Sequence, residues 1–415
     1  MTDKPVGTSE FRHGWRLVLA ASFGFSFFSV NLAAAGLFMA PLAKEFGWSR
    51  TLLSGGPSIA TTMTAVLGPF FGALIDRYGS RRLALPGLVA TIGAVCAFGL
   101  LNGRPWEWLG MWVVFGVVSV SIKSTIWTSA VVGLFERSRG LALGLTLSGT
   151  AIAQALVPPL ANWLIEQWGW RTAFVGLGLG WGGITLFLAW LFLHVPGETT
   201  RTSNLDEPRL RTANLKSGLT VKEAWRNRAL WQLALSSFLI MALTMGLTIH
   251  LFPILTEAGV TRKHAALLTG LSGLAGIAGK LVTGYLLDRI RPNIVGGLTL
   301  CAAAAGFALL IEGIASPTLI VIALLVNGYA AGTKTHITGY LTAGYAGMRS
   351  FGAIYGFMSA LVSLASGLGP LLAGVSYDVL GGYAPFLAFG TIGCLAGGLL
   401  IITMPAVPNH GHGTE

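Results

Sequence analysis

Charged residues are scarce in this sequence. Asp, Glu, Lys and Arg together make up 10% of the 415 residues, whereas hydrophobic residues make up 53%. Soluble domains usually carry about 25% charged residues, so a water-soluble protein of this length would lack the polar surface that it needs. The shortage argues against a soluble enzyme and against a disordered protein. It predicts a polytopic membrane protein.

Residues that could carry chemistry are also few. The three cysteines, Cys96, Cys301 and Cys394, all lie in apolar runs, and their spacing predicts neither a disulfide framework nor a metal site. The apolar segments contain no paired carboxylates, no histidine cluster and no Ser/His arrangement. We therefore expect no catalytic residues, no cofactor and no enzyme activity. The sequence also lacks a phosphate-binding loop of the GxxxxGK type, which excludes a built-in ATP motor of that class.

Long apolar runs divide the chain into membrane spans. A transmembrane helix needs about 20 consecutive apolar residues, and runs of this length predict an all-α protein with twelve transmembrane helices. The one long polar segment, 197–228, predicts a cytoplasmic linker between an N-terminal six-helix bundle (1–196) and a C-terminal six-helix bundle (229–415). The predicted spans are approximately 14–40, 52–75, 82–102, 107–134, 140–164, 171–194, 229–256, 265–287, 293–313, 317–345, 351–377 and 384–405.

Membrane topology accounts for most of the net charge of +11. With twelve spans and both termini in the cytoplasm, most of the 27 Lys and Arg residues fall in cytoplasmic segments, as the positive-inside rule requires. The positive charge is therefore no argument for a nucleic-acid partner. We expect a multi-pass protein of the cell membrane, in a bacterium the inner membrane.

The two halves of the chain repeat each other at a constant offset of 212 residues. Gly72 and Asp76 of GALIDRYGSRR recur as Gly284 and Asp288 of GYLLDRIRP. The segment PLAKEFGWSR recurs in the same way as PILTEAGVTR. Two halves with the same topology imply a pseudo-twofold axis along the membrane normal and a central site.

The loop motifs also carry a family resemblance. The GALIDRYGSRR loop after the second span, with its echo after the eighth, resembles the signature loop of the major facilitator superfamily. PLAKEFGWSR, HLFPILTEAGV and SFGAIYGF resemble segments of its monocarboxylate and oxalate–formate exchanger branch. The resemblance covers nearly the whole chain. It implies a major facilitator fold that works as a monomer and transports small organic anions.

Charged residues of the signature loops are candidates for a gating latch. An Asp at a helix end can accept hydrogen bonds from a neighbouring helix N-terminus, and Arg pairs with acids or lipid phosphates. Such contacts would hold the cytoplasmic side closed and break when that side opens. The alternative is that these charges only fix the topology. The candidates are Asp76, Arg77, Arg81, Asp288 and Arg289.

Three lysines lie inside predicted spans with no acid nearby in the span. All 16 Asp and Glu residues fall in loops or at helix ends, whereas Lys123, Lys280 and Lys334 lie near the centres of the fourth, eighth and tenth spans. A central lysine costs about 2.5–3.5 kcal/mol on insertion scales, and a bound anion would offset that cost. The alternative is that these side chains snorkel or bond backbone carbonyls.

The surroundings of the lysines suggest further substrate-binding residues. Lys123 and Lys334 are 211 residues apart, one fewer than the repeat offset of 212, so we expect them to be roughly pseudosymmetric. Glycines on the Lys280 face would leave room for a ligand or for a tight helix contact. Helical spacing adds Ser119 and Trp127 on the Lys123 face, Asn327 and Thr338 on the Lys334 face, and Gly273, Gly276 and Gly284 on the Lys280 face.

The family resemblance implies a role for Lys280. In that family the corresponding position commonly carries an Arg that grips the substrate carboxylate, and a Lys supplies the charge without the bidentate fork. Proton-coupled members often carry an Asp one turn earlier, where this chain has Gly276. The difference favours anion exchange, or a proton handled by another group such as His250 or a lysine.

Three other polar residues have two interpretations each. Asn31 in the first span either lines the cavity or bonds to a neighbouring helix. Tyr355 belongs to a polar stripe on the eleventh span that is expected to face the cavity or to pack. His250, near the outer end of the seventh span, is either a gating or proton-handling group or a packed, hydrogen-bonded histidine.

These patterns predict a secondary transporter for a small mono- or dicarboxylate that works by rocker-switch alternating access, as anion exchange or proton-coupled transport. Its expected partners are the anion and the lipid bilayer. One competing hypothesis is an anion-binding membrane sensor without transport. The other is a facilitator transporter for a different small solute. The internal repeat and the two matching loops favour transport.

Overall fold

The structure, a computed structural model, describes residues 7–135, 139–193, 218–287, 289–312, 316–347 and 349–406. Within these ranges the chain is almost entirely helical and forms no β-strand. The α-helices are α1 (Gly7–Phe46), α2 (Arg50–Tyr78), α3 (Ser80–Ala97), α4 (Pro105–Ser119), α5 (Ser124–Leu134), α6 (Arg139–Leu147), α7 (Gly149–Gly176), α8 (Gly182–Phe192), α9 (Val221–Ala224), α10 (Arg228–Glu257), α11 (Arg262–Leu287), α12 (Pro292–Glu312), α13 (Pro317–Ala346), α14 (Phe351–Leu380) and α15 (Ala384–Ile402).

The helices match the predicted membrane spans. Among the described residues, ten helical segments are long and apolar enough to cross a membrane. One of these, Leu141–Phe192, reverses at Gly169, whose φ of 78° is not helical, so it supplies two spans. The 29-residue α2 has the length for the remaining one. The predicted all-α fold with twelve transmembrane helices is confirmed.

The fourth predicted span is not one continuous helix. α4 ends at Ser119, a 3₁₀ turn covers Val120–Ile122, and Lys123 is extended (φ −66°, ψ 165°) before α5 begins. The hydroxyls of Ser119 and Ser121 donate to carbonyls three residues earlier, and such local bonds compete with the helical ladder. The prediction of an unbroken helix over 107–134 is therefore wrong at 120–123.

The chain forms two compact units. Unit 1 comprises Met1–Thr202 together with Leu251–Gly273, and unit 2 comprises Ser203–His250 together with Leu274–Glu415. The end of α10 and the first half of α11 thus group with unit 1. The predicted C-terminal bundle, 229–415, includes these parts of α10 and α11, so the two divisions differ there. The predicted domain boundaries stay a prediction.

Aromatic side chains fill part of the core of unit 1. The Phe98 ring centroid lies 5.2 Å from those of both Trp112 and Phe174, and all three side chains are fully buried. The indole of Trp108 donates to the Leu52 carbonyl at 3.1 Å. Large rings with a hydrogen-bonded polar tip pack well in such a core, and here they join α2, α4 and α7.

Small residues bring helices of unit 2 into backbone contact. A β-carbon at Gly332 of α13 would lie 2.1 Å from the carbonyl oxygen of Gly276 in α11. A β-carbon at Gly398 of α15 would lie 2.8 Å from the backbone nitrogen of Cys301 in α12. Close approach at small residues is a usual way of packing helices in membranes. The contact at Gly276 fixes α11 one turn before Lys280.

Candidate functional site

Lys280 lies in α11 beside a tightly packed stretch of that helix. Its side chain is half-buried, and none of the described residues accepts a hydrogen bond from its ammonium group. Of the glycines expected on its face, Gly273 packs against the backbone of α7 within unit 1, and Gly276 packs against α13 within unit 2. Apart from the backbone of its own helix, no atom of the described residues lies within 4 Å of the place where a β-carbon of Gly284 would be. The glycines thus serve helix contacts at two positions and leave space at the third.

Lys123 lies at the break between α4 and α5 and reaches α2. Its Nζ donates to the Thr64 carbonyl at 3.3 Å, and a β-carbon at Gly68 would lie 3.6 Å from the same nitrogen. Under the repeat offset, Thr64 corresponds to Gly276 and Gly68 corresponds to Lys280. In unit 2 the cation, Lys280, is part of the second helix itself. In unit 1 the corresponding position is Gly68, and the ammonium group of Lys123 lies beside it.

Ser119 and Trp127 do not share a helical face with Lys123. Ser119 is buried and its hydroxyl donates to a carbonyl of its own helix. Trp127 is fully buried, and its indole nitrogen donates to the Ile122 carbonyl at 2.8 Å. A β-carbon at Gly24 of α1 would collide with the Trp127 ring. The predicted common face is wrong because the helix is interrupted at Lys123, and both side chains take part in helix packing.

Lys334 lies on the continuous α13 and points to α10. Its Nζ donates to the Thr244 hydroxyl at 2.6 Å. One turn later, the Thr338 hydroxyl donates to the Lys334 carbonyl at 3.0 Å and lies 2.9 Å from the hydroxyl of Ser237. The structure thus keeps Thr338 near Lys334, in a polar seam between α10 and α13 within unit 2.

Within the described residues, no hydrogen bond joins Asn31, Asn327 or Tyr355 to the ammonium groups just described. Asn31 is buried in α1, and its amide nitrogen has no hydrogen-bond partner among the described residues. Asn327 is buried in α13 with its β-carbon next to Gly306 of α12. It therefore packs against α12, whereas Lys334 contacts α10. Tyr355 stacks on Phe351 with ring centroids 5.3 Å apart. Their substrate-binding roles stay predictions.

His250 is fully buried and bonded at both ring nitrogens. Nδ1 lies 2.9 Å from the Tyr383 hydroxyl, and Nε2 lies 3.1 Å from the Pro370 carbonyl. A carbonyl can only accept, so Nε2 carries a proton and, in the neutral ring, Nδ1 accepts from Tyr383. This is the packed, hydrogen-bonded arrangement. A proton-handling role would require the Tyr383 hydroxyl to turn and accept instead.

Among the predicted latch residues, Arg81 has the most clearly defined contacts. Its guanidinium donates to the carbonyls of Leu193 at 2.9 Å and Trp190 at 3.0 Å, at the end of α8. A cation there satisfies helix-terminal carbonyls and complements the helix dipole. The guanidinium groups of Arg77 and Arg289 lie over the rings of Tyr78 and Tyr285. The side chains of Asp76 and Asp288 lie outside the described part of the structure, so the latch stays a prediction.

The repeated PLAKEFGWSR and PILTEAGVTR segments hold ion pairs that the sequence did not identify. Arg50 of the first copy pairs with Glu257 of the second at 2.8 Å, within unit 1. Glu45 of the first copy pairs instead with Arg171 at 2.7 Å. Arg262, the repeat counterpart of Arg50, lies over an aromatic ring, and its Nη2 is buried without a hydrogen-bond partner in the described chain. The sequence did contain a signal for such pairs, because a Glu and an Arg recur in both segments at the repeat offset.

Sequence reasoning also missed the partners of the lysines. The repeat offset pairs Gly68 with Lys280, which could have suggested that the second helix of unit 1 lacks a cation at this position. The Thr244 hydroxyl and the Thr64 carbonyl had no such signal, because hydroxyl residues are common throughout the spans and a carbonyl is present at every position. Within the described chain, no acid forms an ion pair with any of the three lysines.

Comparison with known proteins found a matching family and similar transporters. The sequence profile of the Major Facilitator Superfamily matches residues 19–332 and 253–414. Human monocarboxylate transporter 11 is 28% identical over 430 residues, which cover 99% of this chain and 87% of the relative. The gallate transporter of Pseudomonas putida is 23% identical over 412 residues, which cover 89% of each protein.

A solved structure shares the fold. It is a bacterial homolog of the human lysosomal transporter Spinster in an inward-facing and occupied conformation, with a TM-score of 0.68, 18% identity and 97% coverage of both chains. The family match extends over most of this chain, so the resemblance stated from the loop motifs is confirmed. The similar proteins named here are transporters and not enzymes. The chain belongs to the Major Facilitator Superfamily and is a multi-pass membrane transporter.

Proposed function

We propose that the protein is a secondary transporter of a small organic anion, a mono- or dicarboxylate. The observation that carries the proposal is the set of three span lysines with only neutral partners. Lys123 bonds a backbone carbonyl, Lys334 bonds a hydroxyl, and Lys280 bonds none of the described residues. A carboxylate substrate would supply the missing negative charge.

The energetics favour an anion over a purely structural role. Each lysine costs about 2.5–3.5 kcal/mol at the centre of a span on insertion scales. One neutral hydrogen-bond acceptor contributes on the order of 1.5–3 kcal/mol to a charged donor, which leaves little or no net gain from keeping the charge. A bound anion that pairs with the ammonium groups would offset the free-energy cost of placing these lysines in the spans.

The names of two relatives support the same substrate class. One is a monocarboxylate transporter and the other is a gallate transporter. Both names refer to carboxylates, and both proteins align along nearly the whole chain. We extend this class to the present chain and leave the choice between one and two carboxylates to experiment.

For energy coupling we propose anion exchange ahead of proton symport. Gly276, where the family often has an Asp, is packed against the α13 backbone. His250 has both ring nitrogens engaged by Tyr383 and Pro370, so taking up a proton disrupts an existing bond. These contacts leave a lysine as the simplest remaining proton carrier and make exchange the simpler mode.

The proposed mechanism is rocker-switch alternating access in a monomer whose termini both lie in the cytoplasm. The latch proposed for Asp76 and Asp288 would act in the gating step and not in substrate binding. The proposed location is the cell membrane, in a bacterium the inner membrane. The distribution of Lys and Arg over the loops supports this orientation.

Uptake into proteoliposomes tests the substrate class. Purified protein is reconstituted with an internal carboxylate, and exchange is followed with radiolabelled mono-, di- and aromatic carboxylates. Competition by the carboxylates and failure of their neutral amides is the expected result. Equal competition by the amides would indicate a facilitator for another solute. Binding of a carboxylate without counterflow would indicate a sensor.

A pH gradient separates the two coupling modes. In exchange, uptake depends on the internal anion and changes little when an imposed pH gradient is collapsed. In proton symport, uptake proceeds without internal anion and is lost with the gradient. Liposomes without protein and the Lys280→Gln variant are the controls.

A further inference from the structure

An aromatic groove lies where α10 enters the membrane-spanning part of the chain. Trp225 and Trp231 lie with ring centroids 5.4 Å apart, and Trp225 lies 4.8 Å from Phe357 of α14. The indole of Trp231 donates to the Trp225 carbonyl at 3.0 Å, which fixes the pair. We call this surface, with the two cavities beside it, the Trp225–Trp231 groove.

Two apolar cavities continue from this aromatic group. The first, of about 150 Å³, is lined by α9, α10 and α14 and includes Leu230 and Met358. The second, of about 400 Å³, is lined by α10, α14 and α15 and includes Arg228 at its edge. Trp231 lines both cavities. Together they form a long apolar surface that begins next to a cation, within unit 2.

Positive charge is concentrated in the segment that contributes Trp225 and Trp231 to the groove. Lys222, Arg226 and Arg228 all have exposed side chains within seven residues of one another. The one acid among them, Glu223, is engaged by Thr220, whose backbone N–H and hydroxyl hold the pKa of that carboxyl below its usual range, with a smaller effect of Arg349. The segment therefore keeps a surplus of cations.

The groove lies at the start of the candidate membrane span of α10. The apolar span of α10 starts at Arg228, so the two tryptophans flank the boundary where such rings concentrate in membrane proteins. The side chain of Asn227 already accepts from the backbone N–H groups of Ala229 and Leu230. The exposed cations, and not the helix N-terminus, are therefore the groups free to contact a ligand.

We propose that the Trp225–Trp231 groove binds an anionic phospholipid, with an acyl chain along the apolar surface and the phosphate between Arg226 and Arg228. Charge complementarity selects this occupant over a zwitterionic lipid, because basic clusters beside a span attract anionic headgroups by about 1 kcal/mol per cation. Two cations give an enrichment of up to about 30-fold. Neither residue belongs to the proposed substrate site.

Quenching of tryptophan fluorescence by brominated lipid tests the proposal. The full-length protein is reconstituted in phosphatidylcholine that contains a fixed fraction of either brominated phosphatidylglycerol or brominated phosphatidylcholine with the same chains. The Trp225→Phe/Trp231→Phe variant serves as the blank, so the difference reports the groove alone. Severalfold stronger quenching of the pair by brominated phosphatidylglycerol is expected, and it weakens as NaCl screens the headgroup.

Charge variants locate the headgroup. Arg226→Gln/Arg228→Gln is expected to remove the preference for phosphatidylglycerol, whereas Lys44→Gln/Lys263→Gln, which removes two exposed cations elsewhere, is expected to keep it. Equal quenching by both lipids in the wild-type protein would overturn the proposal and mean that any lipid fills the groove. No quenching by either lipid would overturn it as well and indicate a protein segment as occupant. The wild-type comparison does not depend on the folding of any charge variant.

Discussion

Lys123 and Lys334 occupy nearly equivalent places in the two halves but have different surroundings. Lys334 lies on an unbroken helix and donates to a side-chain hydroxyl on the first helix of its half. Lys123 lies in extended backbone at a helix break and donates to a backbone carbonyl on the second helix of its half. A repeated topology therefore does not repeat the chemistry. The two lysines, one residue off the repeat offset, donate to different helices of their halves.

The second helices of the halves complete the contrast. α11 carries its own cation, Lys280, whereas the corresponding position of α2 is Gly68, which leaves space for the ammonium of Lys123. Unit 2 thus holds two span lysines on two helices, and unit 1 holds one. The following predictions test whether this difference matters for substrate binding.

The largest effect is expected at Lys280, which has no counterpart in unit 1. Lys280→Gln is expected to lower substrate affinity roughly 30-fold to several thousand-fold, because losing one partner of a desolvated charge pair costs about 2–5 kcal/mol. Lys280→Arg is expected to keep part of the activity. Binding isotherms measure both. Lys263→Gln, an exposed lysine on the same helix, is the control, and unchanged affinity in Lys280→Gln would remove Lys280 from the site.

A smaller effect is expected when the two repeat-related lysines are compared. If they grip the two ends of a dianion, Lys123→Gln and Lys334→Gln each lower dicarboxylate affinity on the order of tenfold, the size of one hydrogen bond to a charge. Monocarboxylate affinity is expected to fall much less. Isotherms for a matched mono- and dicarboxylate measure the ratio. If one variant alone has an effect and it is equal for both ligands, the substrate is a monoanion and the two lysines are not equivalent.

The partners of these lysines offer a sharper test with a built-in control. Thr244→Val removes the hydroxyl that holds Lys334 and is expected to weaken dicarboxylate binding a few-fold, as the loss of about 1 kcal/mol would. Thr64→Val leaves the carbonyl that holds Lys123 and is expected to change nothing. Thr244→Ser should restore binding. Equal losses in the two valine variants would mean that local packing, and not the hydrogen bond, sets the affinity.

The smallest effect is expected at the ion pair between the two copies of the loop motif. Arg50→Gln and Glu257→Gln are each expected to lower the free energy of unfolding by up to about 1 kcal/mol, the range for partly exposed pairs. The charge exchange Arg50→Glu/Glu257→Arg is expected to regain part of that loss. Thermal unfolding in detergent measures these differences, and additivity of the two single losses in the double Gln variant would show that the pair contributes nothing.

Much of the fold followed from the sequence because apolar runs and the repeat are long signals. The reversal at Gly169, for example, lies between the predicted spans 140–164 and 171–194. The break at Lys123 did not follow, because no Pro or Gly lies in the run from Val117 to Ser124. At the break, two serine hydroxyls bond the preceding turn, and the absence of a side chain at Gly87 makes room for Ser121; neither feature is visible as a signal in the sequence.

The candidate site was predictable only in part. The lysines stood out because a charge in an apolar run is costly, and that argument needs no structure. The neighbours assigned by helical spacing failed at Ser119 and Trp127, because spacing holds only within one helix, and held at Thr338 on the continuous α13. The bond between His250 and Tyr383 joins residues far apart in sequence, which periodicity does not reveal.

The packing at Gly276 restricts how this protein can evolve. A β-carbon there would lie 3.3 Å from the Gly328 carbonyl oxygen, and a β-carbon on the facing Gly332 would lie 2.1 Å from the Gly276 carbonyl oxygen. An Asp at position 276 would therefore need the backbone of α13 to move by a few tenths of an ångström. A smaller or shifted backbone contact on α13 would ease such a change. If the proposed exchange mode is right, a change to proton symport would therefore involve α13 as well as the helix that carries the new acid.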